Sequence, residues 1–196
     1  MSLKVVVLYY SRFGHTKAIA EYIAEGVMRA PGVEAVLRTV PSVSPTTEQT
    51  EASIPDVGAV FATPEDIKSA AGLAIGSPTR FGNMAAPMKY FIDTLSGVWM
   101  QNGFVGKPFS VFTGSSAMHG GQESTLITMA LPFLHLGGLW MSLPFSEALK
   151  ETTTGGTPYG VSHYAGPKSD RPIDQNEKSL AIEQGERLAK IAKKLA

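Results

Sequence analysis

The segment Lys4-Val-Val-Val-Leu-Tyr-Tyr10 narrows the possible folds of this chain more than any other. A run of β-branched and aromatic residues with no polar alternation has no face for solvent, so it fits a strand covered on both sides. Parallel sheets provide that environment, because their crossover connections lay helices on both faces. The next residues supply such a crossover. Ile19, Ile23 and Val27 recur at helical spacing between Thr16 and Ala30, with Ala20 and Ala24 beside them, and Pro31-Gly32 ends the helix.

The alternation then repeats. Glu34 to Val40 alternates through Val36, Arg38 and Val40, as a strand near a sheet edge does. Thr63-Pro-Glu-Asp66 opens a short helix reaching Ala71, with Thr as N-cap, Pro at the first position and acids in the first turn. Gly72–Gly76, Pro108–Thr113 and Leu139–Leu143 are the third, fourth and fifth strands. Helices are expected from Pro87 to Leu95 and from Glu123 to Leu136, where Pro132 is placed to kink the second. Gly155 to Pro172 reads as Gly/Pro-rich loop. Asp174-Gln-Asn-Glu177 is a capping box opening the last helix, whose inner face carries Leu188, Ile191, Ala192 and Leu195. Residues 41–62 are rich in Pro, Ser, Thr and Glu without a sustained period, and are expected to be an insertion, functional or oligomeric. The sum is one α/β domain over residues 1–196: a doubly wound, five-stranded parallel sheet with helices on both faces.

Charge and composition remove several function classes. Lys plus Arg equals Asp plus Glu at 17 each, and no basic block marks a nucleic-acid or membrane surface. The chain has no Cys, which excludes disulfides, thiolate catalysis and Cys-ligated metals. No His/Asp/Glu spacing makes a metal site, and no Ser has the context of a nucleophile elbow. The opening apolar run is too short for a signal-peptide core or a bilayer span, so a cytoplasmic protein without integral membrane association is expected. Its zero net charge weakly favours oligomers.

In open α/β sheets ligands lie beyond the carboxyl ends of the strands. Three loops there carry unusual residues. Ser11-Arg-Phe-Gly-His-Thr16 leads from the first strand straight into a helix, and its hydroxyls and backbone N–H groups suit an anion. It lacks both G-x-G-x-x-G spacing and a P-loop Lys, so one terminal phosphate suits it better than a pyrophosphate. An ordinary strand-to-helix turn with Thr16 as N-cap accounts for the same residues. Ser77-Pro-Thr-Arg-Phe-Gly-Asn83 offers hydroxyl, guanidinium, aromatic and Gly to a planar ligand, or else a Pro/Gly turn with a solvated Arg80. Gly114 to Gly121 brings small residues whose N–H groups can approach the edge of a ring on which negative charge develops. Plain flexibility is the competing reading there. His15 and His163 carry little signal of their own.

At these loops the sequence resembles the WrbA family of flavodoxin-like NAD(P)H:quinone oxidoreductases. Leu8-Tyr-Tyr-Ser11 with Gly14-His15, Gly76-Ser-Pro-Thr-Arg-Phe-Gly-Asn-Met84, Gly120-Gly-Gln-Glu123 and Gly155-Gly-Thr-Pro-Tyr-Gly160 occur in the family's order. The resemblance runs from near residue 5 to near residue 195. It implies a flavodoxin-like fold, a homotetramer, FMN as cofactor, NADH or NADPH as electron donor and quinones as substrates. Two hydride transfers in turn would pass through one shared pocket.

Carried over by residue, the resemblance places the FMN phosphate on Ser11, Arg12, Phe13, Gly14, His15 and Thr16. Pro78, Thr79, Arg80, Phe81, Gly82 and Asn83 would flank the ribityl chain and ring. Gly114, Ser115, Ser116, Ala117 and Gly120 would meet the ring edge. His135 matches a flavin-contacting His and is the expected catalytic residue; on sequence alone it is a packed helix residue. Trp99 matches an aromatic of the substrate pocket, and Phe13 stands where the family often has a nicotinamide-contacting Tyr. Arg12 is charged where an apolar residue is common, and Ser115 to Gly121 has one residue more than many members. A flavodoxin-type electron carrier and a regulatory interaction protein are the alternatives. The neutral charge speaks against the first, since such carriers dock through acidic surfaces. Three ligand loops on one rim speak against the second.

Overall fold

β1 (Leu3–Tyr9) lies in the middle of the sheet, hydrogen-bonded in parallel to β2 (Val33–Thr39) on one side and β3 (Gly72–Arg80) on the other. That position accounts for its unbroken apolar run. Val6 and Leu8 point into one core, while Val5, Val7 and Tyr9 point into a second. The computed structural model describes residues 2–43 and 58–196.

The first core lies under α2 (Pro64–Ser69), α3 (Ala86–Asp93), α4 (Ser96–Met100) and α5 (Gln122–His135), whose Ile67, Met88, Val98 and Phe133 are buried there. The second lies under α1 (His15–Met28), α6 (Glu147–Glu151) and α7 (Gln175–Leu195). Ile19, Ile23 and Val27 fill it at 0–1% exposure, as their spacing requires. Each such fully buried aliphatic side chain contributes about 1.5–3 kcal/mol. Leu188 and Ala192 of α7 are buried, whereas Leu195 at the frayed end is 54% exposed and not part of the inner face. Helices on both faces and the parallel order β2-β1-β3-β5 make the fold doubly wound, as expected.

The sheet has a core of five positions and seven strands in all. The fifth position is shared. β6 (Leu139–Trp140) pairs with the start of β5 (Pro108–Ser115), and β7 (Val161–Tyr164) pairs with its end, both in parallel. The expected fifth strand therefore ends after two residues, and part of the expected loop Gly155 to Pro172 is the other half of that edge. β4 (Asn83–Met84) folds back antiparallel on Thr79 and Arg80 at the end of β3, so the second ligand loop is a tight hairpin.

The expected capping box of α7 forms, and the expected Thr63 N-cap of α2 proves to be a second one. The Thr63 hydroxyl accepts the Asp66 N–H at the start of α2, and the Asp174 carboxylate accepts the Glu177 N–H at the start of α7. Of the expected insertion, residues 44–57 lie outside those described. Among the described residues no helix is long and apolar enough to cross a membrane.

Candidate active site

The ends of β1, β3 and β5 bring their loops to one rim. α1 starts at His15 with Gly14 as N-cap at φ +91°, a left-handed conformation that glycine adopts without strain. Gly14 N–H donates to Ser11 Oγ at 3.1 Å, and no side chain caps the helix. Its first N–H groups thus stay available to an anion, which the helix dipole also favours. Thr16 is not the cap. It occupies the second helical position and is buried, which removes the reading of an ordinary Thr-capped turn.

The second loop is pinned from inside. Buried Ser77 accepts the Ala85 N–H at 2.8 Å and donates to the Pro78 carbonyl at 3.1 Å. Arg80 donates to the Thr79 carbonyl at 2.7 Å. Phe81 follows with φ +54° and a fully solvent-exposed ring. A non-glycine residue held there costs of order 1 kcal/mol, and displaying an apolar ring to water adds to it.

The third loop is stitched to the second. Thr79 Oγ1 donates to the Gly120 carbonyl at 3.3 Å and lies 2.8 Å from Thr125 Oγ1. A Cβ on Gly121 would come within 2.8 Å of Gly82 Cα, so the two glycines let the backbones touch. Buried Ser115 donates to the Ala117 carbonyl at 2.6 Å and accepts from Gln122 Nε2 at 2.8 Å. A fourth segment closes the side: His15 Nε2 donates to the Ser169 carbonyl at 2.8 Å.

Between these loops lies a cavity of about 150 Å³. Ser11, Arg12, Phe13, His15 and Thr16 line it from the first loop, and Pro78, Thr79 and Arg80 from the second. Gly114, Ser115 and Ser116 line it from the third. Arg12 and Arg80 also border a wider, open cleft of about 1260 Å³, walled by Tyr10, Phe81, Asn83, Leu131 and His135. His135 ends α5 there, with its ring 5.7 Å from that of half-exposed Trp99. The expected residues thus divide between two spaces that share Arg12 and Arg80, while Trp99 lines neither and borders a separate hollow beside His135 and Pro132. Gly14, Gly82, Ala117 and Gly120 line neither and shape the loops instead.

This chain matches the sequence model of the NADPH-dependent FMN reductase family over residues 3–143. It belongs to that family. It is 40% identical to proteins named NAD(P)H dehydrogenase (quinone) from Geobacter metallireducens and Geobacter sulfurreducens, over 98% of this chain and 99% of each relative. A protein of the same name from Syntrophobacter fumaroxidans is also 40% identical, over 98% of both chains. Among solved structures, a WrbA-like flavodoxin from Agrobacterium tumefaciens superposes with a TM-score of 0.69 at 24% identity over the whole of both chains. A flavodoxin from the domain Archaea gives 0.64 at 20% identity, over 97% of this chain and 99% of that one. The flavodoxin-like fold is shared with both.

Within this FMN reductase family member, sequence reasoning missed the segment Ala165 to Ser169, which lines the small cavity. The preceding Gly155-Gly-Thr-Pro-Tyr-Gly160 motif was the available signal. Gly155 and Gly160 lie so close to the Ser162 and Val111 carbonyls, within about 2 Å of any added Cβ, that only glycine lets β7 dock and deliver Ala165. It also missed Glu177, whose carboxylate does more than cap α7. Burial pushes this carboxyl up. Hydrogen bonds from His163 and from the Tyr164 and Asp174 N–H groups outweigh that and hold it below the usual carboxylate range.

Proposed function

We infer that the protein is an FMN-dependent NAD(P)H:quinone oxidoreductase that reduces quinones to hydroquinones by two electrons. The observation that carries this is the uncapped start of α1 at a cavity walled by three strand-end loops and sharing Arg12 and Arg80 with a wide cleft flanked by Tyr10 and Phe81. The residues fit the cofactor. Gly114 brings bare backbone to the cavity wall, and the first N–H groups of α1 carry no side-chain cap where His15 and Thr16 line the same cavity. FMN, when bound, supplies hydride acceptance from the nicotinamide and hydride donation to the quinone.

The chain's own residues position and polarise. Ser11, Thr16, His15 and the N–H groups of α1 would hold the phosphate, with Arg12 and Arg80 adding positive charge where the cavity meets the cleft. Thr79, Pro78 and the N–H groups of Gly114 to Ser116 would meet the ribityl chain and ring edge. Phe13 and Phe81, at 70% and 106% exposure, supply flat apolar faces against which nicotinamide and quinone stack. His135, held against Trp99, is the imidazole placed to stabilise negative charge developing in the cleft. The same reading includes a homotetramer in the cytoplasm. Exposed Tyr90, Trp99, Met100, Leu131 and Leu134 on α3, α4 and α5 support association.

The test is to add FMN to the purified protein and follow NADH or NADPH oxidation with and without benzoquinone. Quinone-dependent turnover is expected. Flavin binding without such turnover would favour an electron carrier, and no flavin binding would leave only an interaction role.

A further inference from the structure

Behind the small cavity sits a second pair of ionisable groups with no part in holding the ring. His163 on β7 is fully buried, and its Nδ1 lies 2.8 Å from Glu177 Oε2, itself 1% exposed. The carboxylate also accepts N–H groups from Gly155, Tyr164 and Asp174 at 3.0–3.1 Å. Because Glu177 is held ionised, His163 Nδ1 carries a proton and donates it. That leaves Nε2, which has no hydrogen-bond partner and no solvent. Leaving a buried polar atom in that state costs about 1–3 kcal/mol. The His163 ring lies 5.0 Å from the ring of His15, which lines the cavity. His15 is committed in the same way: its Nε2 donates to the Ser169 carbonyl at 2.8 Å. Two imidazoles therefore stand in line between a buried carboxylate and the proposed phosphate position, each with one nitrogen spoken for.

We propose that His163 is a positioning residue that couples phosphate binding to proton uptake: when the FMN phosphate dianion enters beside His15, the His15–His163 pair takes up one proton from solvent. The proposal rests on the FMN reading above. The proton adds to an imidazole nitrogen and no other bond changes. Glu177 on one side and the phosphate on the other stabilise the imidazolium. Mutual repulsion across 5.0 Å limits the pair to a single added proton.

Lys168 and Asp170 flank Ser169 in the segment that His15 contacts. On α7, Asp174 is paired with Arg171 at 3.1 Å. On α1, Lys17 and Glu21 are exposed and lie 3.8 Å from each other. From β5, Gly114 is the residue paired with His163. Tyr164 follows on β7, under the Arg171 guanidinium. Arg12 and Arg80 are the guanidinium groups on the cavity wall.

Calorimetric titration of FMN and of riboflavin into the flavin-free full chain, in buffers of different ionisation enthalpy between pH 7 and 9, tests this. In that range the ester is already a dianion, since its second ionisation falls near 6. Wild-type protein is expected to take up a measurable fraction of a proton with FMN and none with riboflavin. FMN affinity should fall with rising pH, by at most ~tenfold per unit, the limit for one linked proton. His163→Asn keeps an N–H donor for Glu177 but has no ring nitrogen to protonate. It should bind FMN with a flatter pH profile and less uptake than wild type, because His15 is then the one imidazole left beside the phosphate. Equal uptake in wild type and His163→Asn would overturn the proposal while leaving the FMN reading intact. Equal binding of FMN and riboflavin, or no binding of either, would overturn both. Should His163→Asn not fold, the ring Cε1–H signals of His15 and His163 in the wild-type protein decide. They should move toward imidazolium on adding FMN and not on adding riboflavin, and no FMN-specific movement refutes the coupling.

Discussion

Replacing Gly185 by Ala should destabilise the protein, although Ala is the better helix former. Gly185 lies mid-helix in α7, where a Cβ would fall 2.0 Å from the Ile23 carbonyl oxygen and 2.9 Å from the Val27 nitrogen of α1. Gly26 answers it on α1, 2.0 Å from the Ile182 carbonyl oxygen of α7. The obstructing atoms are backbone, so no rotamer change gives relief, and the helices must part by more than an ångström. Overpacking of this kind costs about 1–3 kcal/mol, and the rigid obstacle places it at the upper end. The gain in helix propensity returns about 1 kcal/mol. The net expectation is a loss of about 2 kcal/mol in equilibrium urea unfolding without flavin. Gly97→Ala in α4, where an added Cβ meets nothing within 4 Å, should instead gain up to about 1 kcal/mol. The double replacement Gly26→Ala with Gly185→Ala should cost less than the sum of the singles, because once the helices have separated the second methyl finds room. Since α1 carries the anion loop at its start, Gly185→Ala should also weaken FMN binding. A Gly185→Ala protein as stable as wild type would refute the close-crossing argument.

Thr16→Ala removes a buried hydroxyl from the cavity wall and should raise the FMN dissociation constant about tenfold, with turnover at saturating FMN little changed; the opposite pattern removes Thr16 from the phosphate site. Ser77→Ala orphans the buried Ala85 N–H and should cost about 2 kcal/mol in thermal or urea unfolding, and a neutral result would mean the hairpin is not pinned there. Glu177→Gln turns an NH₂ toward N–H donors and leaves His163 without its carboxylate, so a loss of about 3 kcal/mol at pH 7 is expected. Glu177 has a folded-state pKa below its unfolded value, so its stabilisation is complete above the unfolded range near ~4.3 and is lost as pH falls through the folded pKa. The gap between wild type and Glu177→Gln should therefore narrow in unfolding measurements below about pH 4, and a gap that widens there contradicts the assignment.

What could be read from the sequence follows from how many residues specify each feature. β1, α1 and α7 were legible because runs and periodicities of seven or more residues must satisfy burial on known faces. The Asp174 capping box and the Thr63 N-cap were legible because the donor, the acceptor and their spacing all fall within four residues. The sheet edge was not. β6 and β7 have two and four residues, too few for a period, and their pairing to β5 depends on a chain reversal through residues 141–160 that no local pattern encodes.

The same distinction runs through the site. Its three loops were visible because each follows directly on a strand, so fold and chain direction together place them at one rim. The contribution of Ala165 and Ser169 was hidden with the edge strand that delivers them. Glu177 was hidden differently. It sits at the N3 position of a capping box, and a residue with one sufficient local role gives no sign of a second. Its other partner, His163, lies fourteen residues back on the split edge. The division of the fifth sheet position has a direct structural consequence: the shift from β6 to β7 along β5 is what brings a histidine beside Gly114, under His15 and against the start of α7.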